Sequence, residues 1–500
     1  MENDYVIIDG EFIEVKYRTS QKIHSYLELN NKEIKDIIEI NRLENLNYLE
    51  ELDLSNNQIS EIKGLDNLTN LKSLNLSKNI IRKIEGLSKL NNLKYLDLEK
   101  NQIMEVENLE DLDNLRMLNL SNNPIDKSIL YKLNLYEGLL LPNDVAKVLQ
   151  YCIKKKIQNE KIRTQEYIEY KGELYYPLKN NLNLSKMGVV DFSQIKRLEK
   201  LPKLKSLNLS YNVISEIRNL NNLNNLRSLD LSSNNIENIM GIENLQNLQY
   251  LNLSHNKIKS INELYKLTNL NSIKLGFNKL NEIEGLNKLK NLISLDLSSN
   301  NLQSVKGIEA LVNIEDLKLS QNRIENIPSL YLLKKLKNLN LSYNKIKKIN
   351  NLNNLKNLEY LSLNSNDINN TGGLETLENL KYLDLSQNKI IDINHLENLK
   401  SLRLLNLKTN KIVNCDVIGK FSSLTNLHLN DNYISDVSPL GNLKKLKRLS
   451  LDNNQIIEVK ILKNLHDLEV LSIKNNPLMN VEDIKKCKNI KFLYLNENEK

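Results

Sequence analysis

The chain has 500 residues, of which 69 are Lys or Arg and 62 are Asp or Glu, giving a formal net charge of +7. Because charges of both signs are interspersed, this small excess predicts no nucleic-acid partner. No apolar run reaches the roughly 18 residues that cross a bilayer, and no signal segment opens the chain. We therefore expect no membrane partner and a cytoplasmic location, or a nuclear one in a eukaryote.

The amino-terminal segment predicts a capping hairpin. Two short β-prone runs between Tyr5 and Val15 lie on either side of Asp9-Gly10, a strong turn signal. We assign residues 1–23 to this cap, which would cover the first exposed leucine face.

A first array of repeats follows over residues 24–125. The pattern L-x-x-L-x-L-x-x-N-x-I-x-x-I-x-x-L-x-x-L-x-x starts at Leu49, Leu71, Leu93 and Leu115. In each L-x-L the alternation directs both leucines to one face, which predicts one short half-buried strand per repeat. A fixed period of 22 residues predicts a solenoid, in which each coil buries its apolar face only against its neighbours.

The repeats stop over residues 126–178, which we interpret as a partly helical bridge. Asn143 is the predicted N-cap of a helix. Its apolar residues fall at helical spacing: Val145, Val148, Leu149, Cys152, Ile153 and Ile157. We expect this helix to cover the open end of the first array; the alternative is a docking helix, based on the basic run 154–156. A second capping hairpin is predicted around Gly172.

A second array covers residues 179–500. Its asparagine at repeat position nine does not vary, and an invariant polar residue in a leucine-lined turn predicts a buried side chain that satisfies backbone groups. We interpret this asparagine ladder as structural. It comprises Asn212, Asn234, Asn256, Asn278, Asn300, Asn322, Asn344, Asn366, Asn388, Asn410, Asn432, Asn454 and Asn476.

The motif L-x-x-L-x-L-x-x-N-x-I, as in residues 204–214, resembles the leucine-rich repeat family. The repeat length is similar to that of the nuclear regulatory subunit of protein phosphatase one and of bacterial internalins. The resemblance implies an α/β fold: a leucine-rich repeat solenoid with a curved parallel sheet, here in two capped arrays joined by the bridge. It also implies that the concave sheet face binds partners.

Repeat positions three, five and seven should point outward on the sheet. Most are short polar residues, so larger groups are candidate anchors for a protein partner. Tyr343, Tyr360 and Tyr382 form one predicted patch, and Tyr211, Tyr250, His255 and Phe277 another. Arg403, His428 and Arg448 break the pattern towards the carboxyl end. The alternative is that these tyrosines only pack beside one another across strands.

The sequence contains no recognisable catalytic, metal or cofactor motif, and its histidines are scattered. We therefore expect a monomeric, non-enzymatic scaffold that binds a protein through the concave face, without a cofactor. Two alternatives are a regulatory subunit that docks a catalytic enzyme such as a phosphatase, and an internalin-like surface or adhesive protein. An enzyme would have to use the bridge, which contains no histidine.

Overall fold

The computed structural model describes residues 5–8, 10–17, 24–133, 139–140, 142–159, 166–177, 179–479, 481–485 and 489–496. The chain forms two compact units: unit 1 comprises residues 1–187 and 194–209, and unit 2 comprises residues 188–193 and 210–500. Asp9, predicted in the first hairpin turn, lies outside the described residues.

Unit 1 contains a sheet built from the first repeats, two hairpins and two helices. Its strands are β1 (Tyr5–Ile8), β2 (Glu11–Glu14), β3 (Lys16–Tyr17), β4 (Ser25–Glu28), β5 (Glu51–Asp53), β6 (Ser73–Asn75), β7 (Tyr95–Asp97), β8 (Met117–Asn119), β9 (Leu139–Leu140), β10 (Ile168–Tyr170), β11 (Glu173–Tyr175), β12 (Asn181–Asn183) and β13 (Ser206–Asn208). Strands β3 to β9 form one sheet in chain order, parallel from β4 to β8. Strand β9 was not predicted; it pairs antiparallel with β8 and so covers an edge that would otherwise be open.

The two hairpins of unit 1 share the same contacts. β1 pairs with β2 and β10 with β11, both antiparallel. The guanidinium of Arg42 lies 4.1 Å from the ring centroid of Tyr5, and that of Arg197 lies 4.0 Å from the ring of Tyr167. Both arginines have left-handed backbone conformations and precede a short 3-10 turn. This repeated Tyr–Arg contact could not be predicted from the sequence because its two residues are far apart in the chain.

The bridge contains α1 (Lys127–Lys132) and α2 (Pro142–Asn159). Asn143 is not the N-cap of α2, because the helix begins at Pro142. Proline is favoured at the first helical position, since an N–H at that position would have no hydrogen-bond acceptor within the helix. The predicted apolar residues from Val145 to Ile153 are buried, whereas the side chain of Ile157 lies outside the described part.

The basic run of α2 is engaged within unit 1. Lys155 contacts Glu105 and Glu107, and Lys156 lies 2.9 Å from Glu110, all in the first array. Lys154 reaches the second hairpin at Glu173, 2.5 Å away. These contacts hold α2 against both neighbours, which is the geometry expected of a covering helix.

Unit 2 contains one parallel sheet in chain order, with one three-residue strand per repeat. The strands are β14 (Ser228–Asp230), β15 (Tyr250–Asn252), β16 (Ser272–Lys274), β17 (Ser294–Asp296), β18 (Asp316–Lys318), β19 (Asn338–Asn340), β20 (Tyr360–Ser362), β21 (Tyr382–Asp384), β22 (Leu404–Asn406), β23 (Asn426–His428), β24 (Arg448–Ser450), β25 (Val470–Ser472) and β26 (Phe492–Tyr494). Helix α3 (Glu482–Lys485) precedes β26. The predicted solenoid with one short strand per repeat is confirmed.

The return segment of most coils is irregular or a short 3-10 turn. Turns of this kind span Ile37–Glu39, Leu43–Asn45, Phe192–Gln194, Leu198–Lys200, Asn262–Lys266, Leu286–Lys288, Ile308–Ala310, Asn394–Leu396, Asp416–Lys420, Ser438–Asn442 and Lys460–Asn464. The leucines of the strands fill the core: Leu207, Leu229 and Leu251 are all 0% exposed. Each coil therefore removes its apolar residues from water by stacking on the next coil.

The position-nine asparagines link consecutive coils. The Asn256 amide donates to the carbonyls of Leu231 and Leu253, both at 3.0 Å, and its oxygen accepts the Ile236 N–H at 3.0 Å. The same bonds recur down the array, for example at Asn322. The side chain thus satisfies backbone groups that the three-residue strands do not reach.

We predict that Asn256→Ala opens the solenoid locally. The substitution leaves buried backbone groups without partners, at a cost of about 2 kcal/mol, which corresponds to roughly 30-fold faster amide exchange. Hydrogen-exchange mass spectrometry of peptides covering residues 230–258 measures it. Asn222→Ala, at an exposed position, is the control, and equal exchange in both variants would contradict the ladder's role.

Two glycines distinguish the effect of backbone strain on stability from that of steric crowding between coils. Gly241 and Gly307 have φ of 101° and 98°, and each N–H bonds to the glutamate two residues later. A Cβ on Gly241 would lie 2.4 Å from the carbonyl oxygen of Ile217, whereas one on Gly307 would meet nothing within 4 Å. The preceding coil therefore crowds only the first glycine.

We predict that Gly241→Ala destabilises the protein more than Gly307→Ala. Both substitutions incur left-handed strain of about 1 to 2 kcal/mol, but only the first adds overpacking, worth about 1 to 3 kcal/mol. Differential scanning calorimetry compares the two variants. Equal losses of stability would show that the coils do not pack as closely as described.

Candidate functional site

The sheet face, defined as repeat positions three, five and seven, has a polar background that satisfies itself. In several repeats an Asp or Asn at position five accepts two bonds from the serine at position seven. The Asp384 carboxylate, for example, accepts the Ser386 N–H at 2.9 Å and its hydroxyl at 2.7 Å. The same pair of bonds occurs at Asp230, Asn252 and Asn340. Much of the serine and asparagine pattern therefore serves the coil itself.

An apolar ridge interrupts this background in unit 2. Tyr360, Tyr382 and Leu404 occupy position three of adjacent strands, and we call them the tyrosine ridge. The two tyrosine rings stack with centroids 4.3 Å apart and planes at 12°. Burial, together with the negative charge of Asp384 and the neighbouring Tyr360, raises the pKa of Tyr382. Its hydroxyl therefore remains protonated as a hydrogen-bonding group at neutral pH.

A hollow of about 240 Å³ lies beside the ridge. It is lined by Asp316, Lys318, Asn338, Asn340 and Tyr360. Its lining combines the short side chains of Asn338 and Asn340 with the larger side chain of Tyr360. This difference in side-chain size gives the sheet face a place for a protruding side chain.

The structure separates Tyr343 from the ridge. Tyr343 is at position eight, in the turn after its strand, with φ of 54° and 51% exposure. Tyr360 is at position three, at the start of the next strand. The two tyrosines of the ridge are in contact with each other, whereas Tyr343 lies in the turn after its strand.

The second predicted patch is divided in the same way. His255 and Phe277, both at position eight, stack with centroids 4.2 Å apart. Tyr250 is on the sheet face, where the Lys274 ammonium lies 5.7 Å from its ring centroid. Tyr211 is at position eight and 58% exposed, with Ser233 between it and His255 in that row. The patch is therefore two rows rather than one surface.

The third predicted group lies beyond the ridge. Arg403 occupies position two, beside Leu404. Arg448 occupies position three of the strand that lies two strands after that of Leu404. Both arginines are exposed. His428 occupies position five between them and is half-buried. Burial lowers the pKa of His428, with Arg448 and Lys408 acting in the same direction and Asp384 opposing them.

Two features of the coils were not predicted from the sequence. Position eight is left-handed throughout the second array, with φ from 53° to 59° even at Tyr and Phe, residue types that do not favour that conformation. A second set of asparagines, at position 22, donates to the preceding coil, as from Asn247 to the Asn224 carbonyl at 2.8 Å. The signal was the recurrent Asn-Leu at the start of repeats.

Unit 1 also has a hollow on its sheet face. It measures about 320 Å³ and is lined by Ser73, Leu74, Asn75, Tyr95, Leu96, Asp97, Met117 and Asn119. Tyr95 is 45% exposed and was not among the predicted candidates. Its ring and Met117 give this face an apolar element of its own.

The described ranges contain neither a metal-binding cluster nor a membrane-spanning helix. No three His, Cys, Asp or Glu side chains there come together as a metal site needs. None of the helices in that part combines the length and apolar character required to cross a bilayer.

These coils define a repeat scaffold that presents a parallel sheet. Family models for leucine-rich repeats match residues 49–89, 246–288 and 422–464 as double copies, and residues 200–215, 222–239, 354–375 and 379–399 as single repeats. The repeats of this chain match the leucine-rich repeat family, as the motif predicted. No curated protein matches the chain. Its similarity to the phosphatase subunit stays a prediction.

Solved structures give the same class. The chain is 24% identical to a protein solved as a TLR13–ssRNA13 complex, over 96% of this chain and 85% of that one, with a TM-score of 0.52. It is 25% identical to a leucine-rich repeat protein of Leptospira interrogans, over 93% and 94%, with a TM-score of 0.49. Internalin C2 of Listeria monocytogenes is 34% identical over 37% of this chain and 83% of that one, with a TM-score of 0.36. The first of these supports the fold and nothing about the partner of this chain.

We predict that His428 titrates below its usual pKa of about 6.5. Because the folded protein disfavours the imidazolium, the stability that His428 contributes is present above this pH and falls as the pH drops below it. Arg448→Gln should raise the pKa by removing a cation, and Asp384→Asn should lower it further. NMR titration of the imidazole measures all three, and a shift of either variant in the opposite direction would refute the assignment.

Proposed function

We propose that the protein is a non-enzymatic scaffold that binds a partner protein through the sheet face of unit 2. The observation that carries this proposal is the tyrosine ridge beside its hollow. Three apolar side chains stand together on a face whose other polar groups largely satisfy one another. Coil stacking does not need them there, because the core lies on the opposite side of the strands.

The ridge has the properties of an interface anchor. Tyrosine contributes a large apolar area together with a hydroxyl, and few rotatable bonds are immobilised when a partner covers it. The Tyr360 and Tyr382 rings already support each other by stacking, so part of the ordering cost is met before binding. The hollow next to Tyr360 would receive a side chain of the partner.

The scaffold would work by presentation rather than by chemistry. The strands hold successive side chains at a fixed spacing of about 4.8 Å, and a partner can contact several coils at once. Function in such a protein resides in the surface residues and not in the fold itself.

We predict that Tyr360→Ala with Tyr382→Ala weakens binding of the natural partner by roughly 30-fold or more, as expected for loss of an anchor worth about 2 kcal/mol. The partner is captured on the full-length protein from its source cells, and its Kd is then measured by calorimetry. Circular dichroism checks that the variant is folded.

Tyr265→Ala with Tyr331→Ala is the matched control. These tyrosines are 47% and 51% exposed and both lie at position 18, away from the sheet face. Unchanged binding in the control, with loss in the ridge variant, supports the proposal. If the ridge variant retains every partner at the original Kd, the proposal is wrong.

A further inference from the structure

The sheet face next to the tyrosine ridge carries an excess of positive charge. Arg403 lies beside Leu404, and Arg448 lies two strands further on in the same row as the ridge. Two strand spacings correspond to about 10 Å. The ridge therefore has apolar side chains at its centre and guanidinium groups along its carboxyl-terminal side.

These two arginines have no ion pair within 4.0 Å among the described residues, whereas several charged residues at position two do. Position two forms a ladder of pairs between adjacent coils: Lys337 lies 2.8 Å from Glu315, and Lys381 lies 2.7 Å from Glu359. Arg403 follows Lys381 in this row and precedes Thr425, so neither neighbour supplies a carboxylate. An exposed guanidinium without a partner is available to an incoming acidic group.

Two carboxylates on the sheet face are already engaged, and Glu469 at position two, whose charge also interacts with Arg448, lies 3.1 Å from Lys491. Asp384 is 7% exposed and accepts both bonds from Ser386. Asp452 accepts from the Asn430 amide at 2.8 Å, the Ser472 hydroxyl at 2.7 Å and the Lys474 N–H at 2.7 Å. Their hydrogen-bonding capacity serves the coils, and neither is within ion-pair distance of the arginines.

We propose that the occupant of this face is an acidic protein segment. It carries a bulky apolar side chain for the ridge and carboxylates that meet Arg403 beside the ridge and Arg448 about 10 Å beyond Leu404. This inference rests on the proposed function and adds the chemistry of the partner. Single-stranded nucleic acid fits less well, since the two tyrosine rings already stack on each other and the buried Asp384 lies on the same face.

The test uses full-length protein and a random 16-residue peptide library displayed on phage. Peptides that bind wild type but lose binding to the Tyr360→Ala, Tyr382→Ala variant are the sheet-face binders. We expect them to be net acidic with an aromatic or aliphatic residue. Their Kd should rise at least about tenfold in Arg403→Glu with Arg448→Glu, and added salt should weaken their binding to wild type.

Lys266→Glu with Lys288→Glu is the matched control, because both exposed lysines lie at position 19, off the sheet face, and the charge change is the same. Sheet-face binders that are neutral or basic, or that tolerate the arginine reversal, overturn the inference while the proposed function stands. The inference also falls if a 12-nucleotide single-stranded RNA binds and is lost with the tyrosines. If no peptide depends on the tyrosines, both proposals fail.

Discussion

The structure depends on a contact between neighbouring coils, in which the position-nine asparagine completes the hydrogen bonds of a turn while leucines pack beneath it. A coil of this length cannot close a core of its own, so its apolar residues are protected only when another coil covers them. Asn256 joins carbonyls of its own coil and the preceding one and accepts an N–H from that preceding coil. The amide therefore fixes both the turn of its own coil and the position of that coil on the preceding one. A purely apolar contact would allow the two coils to slide past each other.

This fixed register decides which side chains meet. In unit 2, Ser228 pairs with Tyr250 and Tyr360 with Tyr382, in each case 22 residues apart. A residue's neighbours on the sheet are therefore those at the same position in adjacent repeats. The stack of Tyr360 on Tyr382 and that of His255 on Phe277 both arise from this rule, and so does the row of Lys–Glu pairs at position two.

The period made most of the fold predictable, because one strand, one buried face and one asparagine per repeat follow from the pattern alone. The candidate site was less predictable. Grouping Tyr343 with Tyr360 by closeness in the chain ignored that position eight lies in the turn after a strand, whereas position three begins a strand. The left-handed conformation of Tyr343 is imposed by the coil and not by the residue type. Counting repeat positions would have separated the two rows, whereas the left-handed turn at Tyr343 could be seen only in the structure.

The bridge and the caps show a different limit of prediction. The basic run of α2 gave two interpretations because the sequence does not show which carboxylates Lys155 and Lys156 would meet, and those carboxylates are 46 or more residues away. The repeated contact of Arg42 with Tyr5 and Arg197 with Tyr167 was equally hidden, although its geometry gives both hairpins one architecture. The domain limits, the location in the cell and the monomeric state stay predictions.

The sheet face can change more freely than the rest of the coil. The alternating strand places the leucines of positions four and six on the buried side, so substitutions at position three add or remove surface without opening the core. Serine and asparagine dominate there in the first coils of unit 2, whereas Tyr360, Tyr382, Leu404 and Arg448 occur together in the later ones. Stacking does not require these four residues, and Tyr360 also lines a hollow; their grouping is the reason why we propose that a partner binds there.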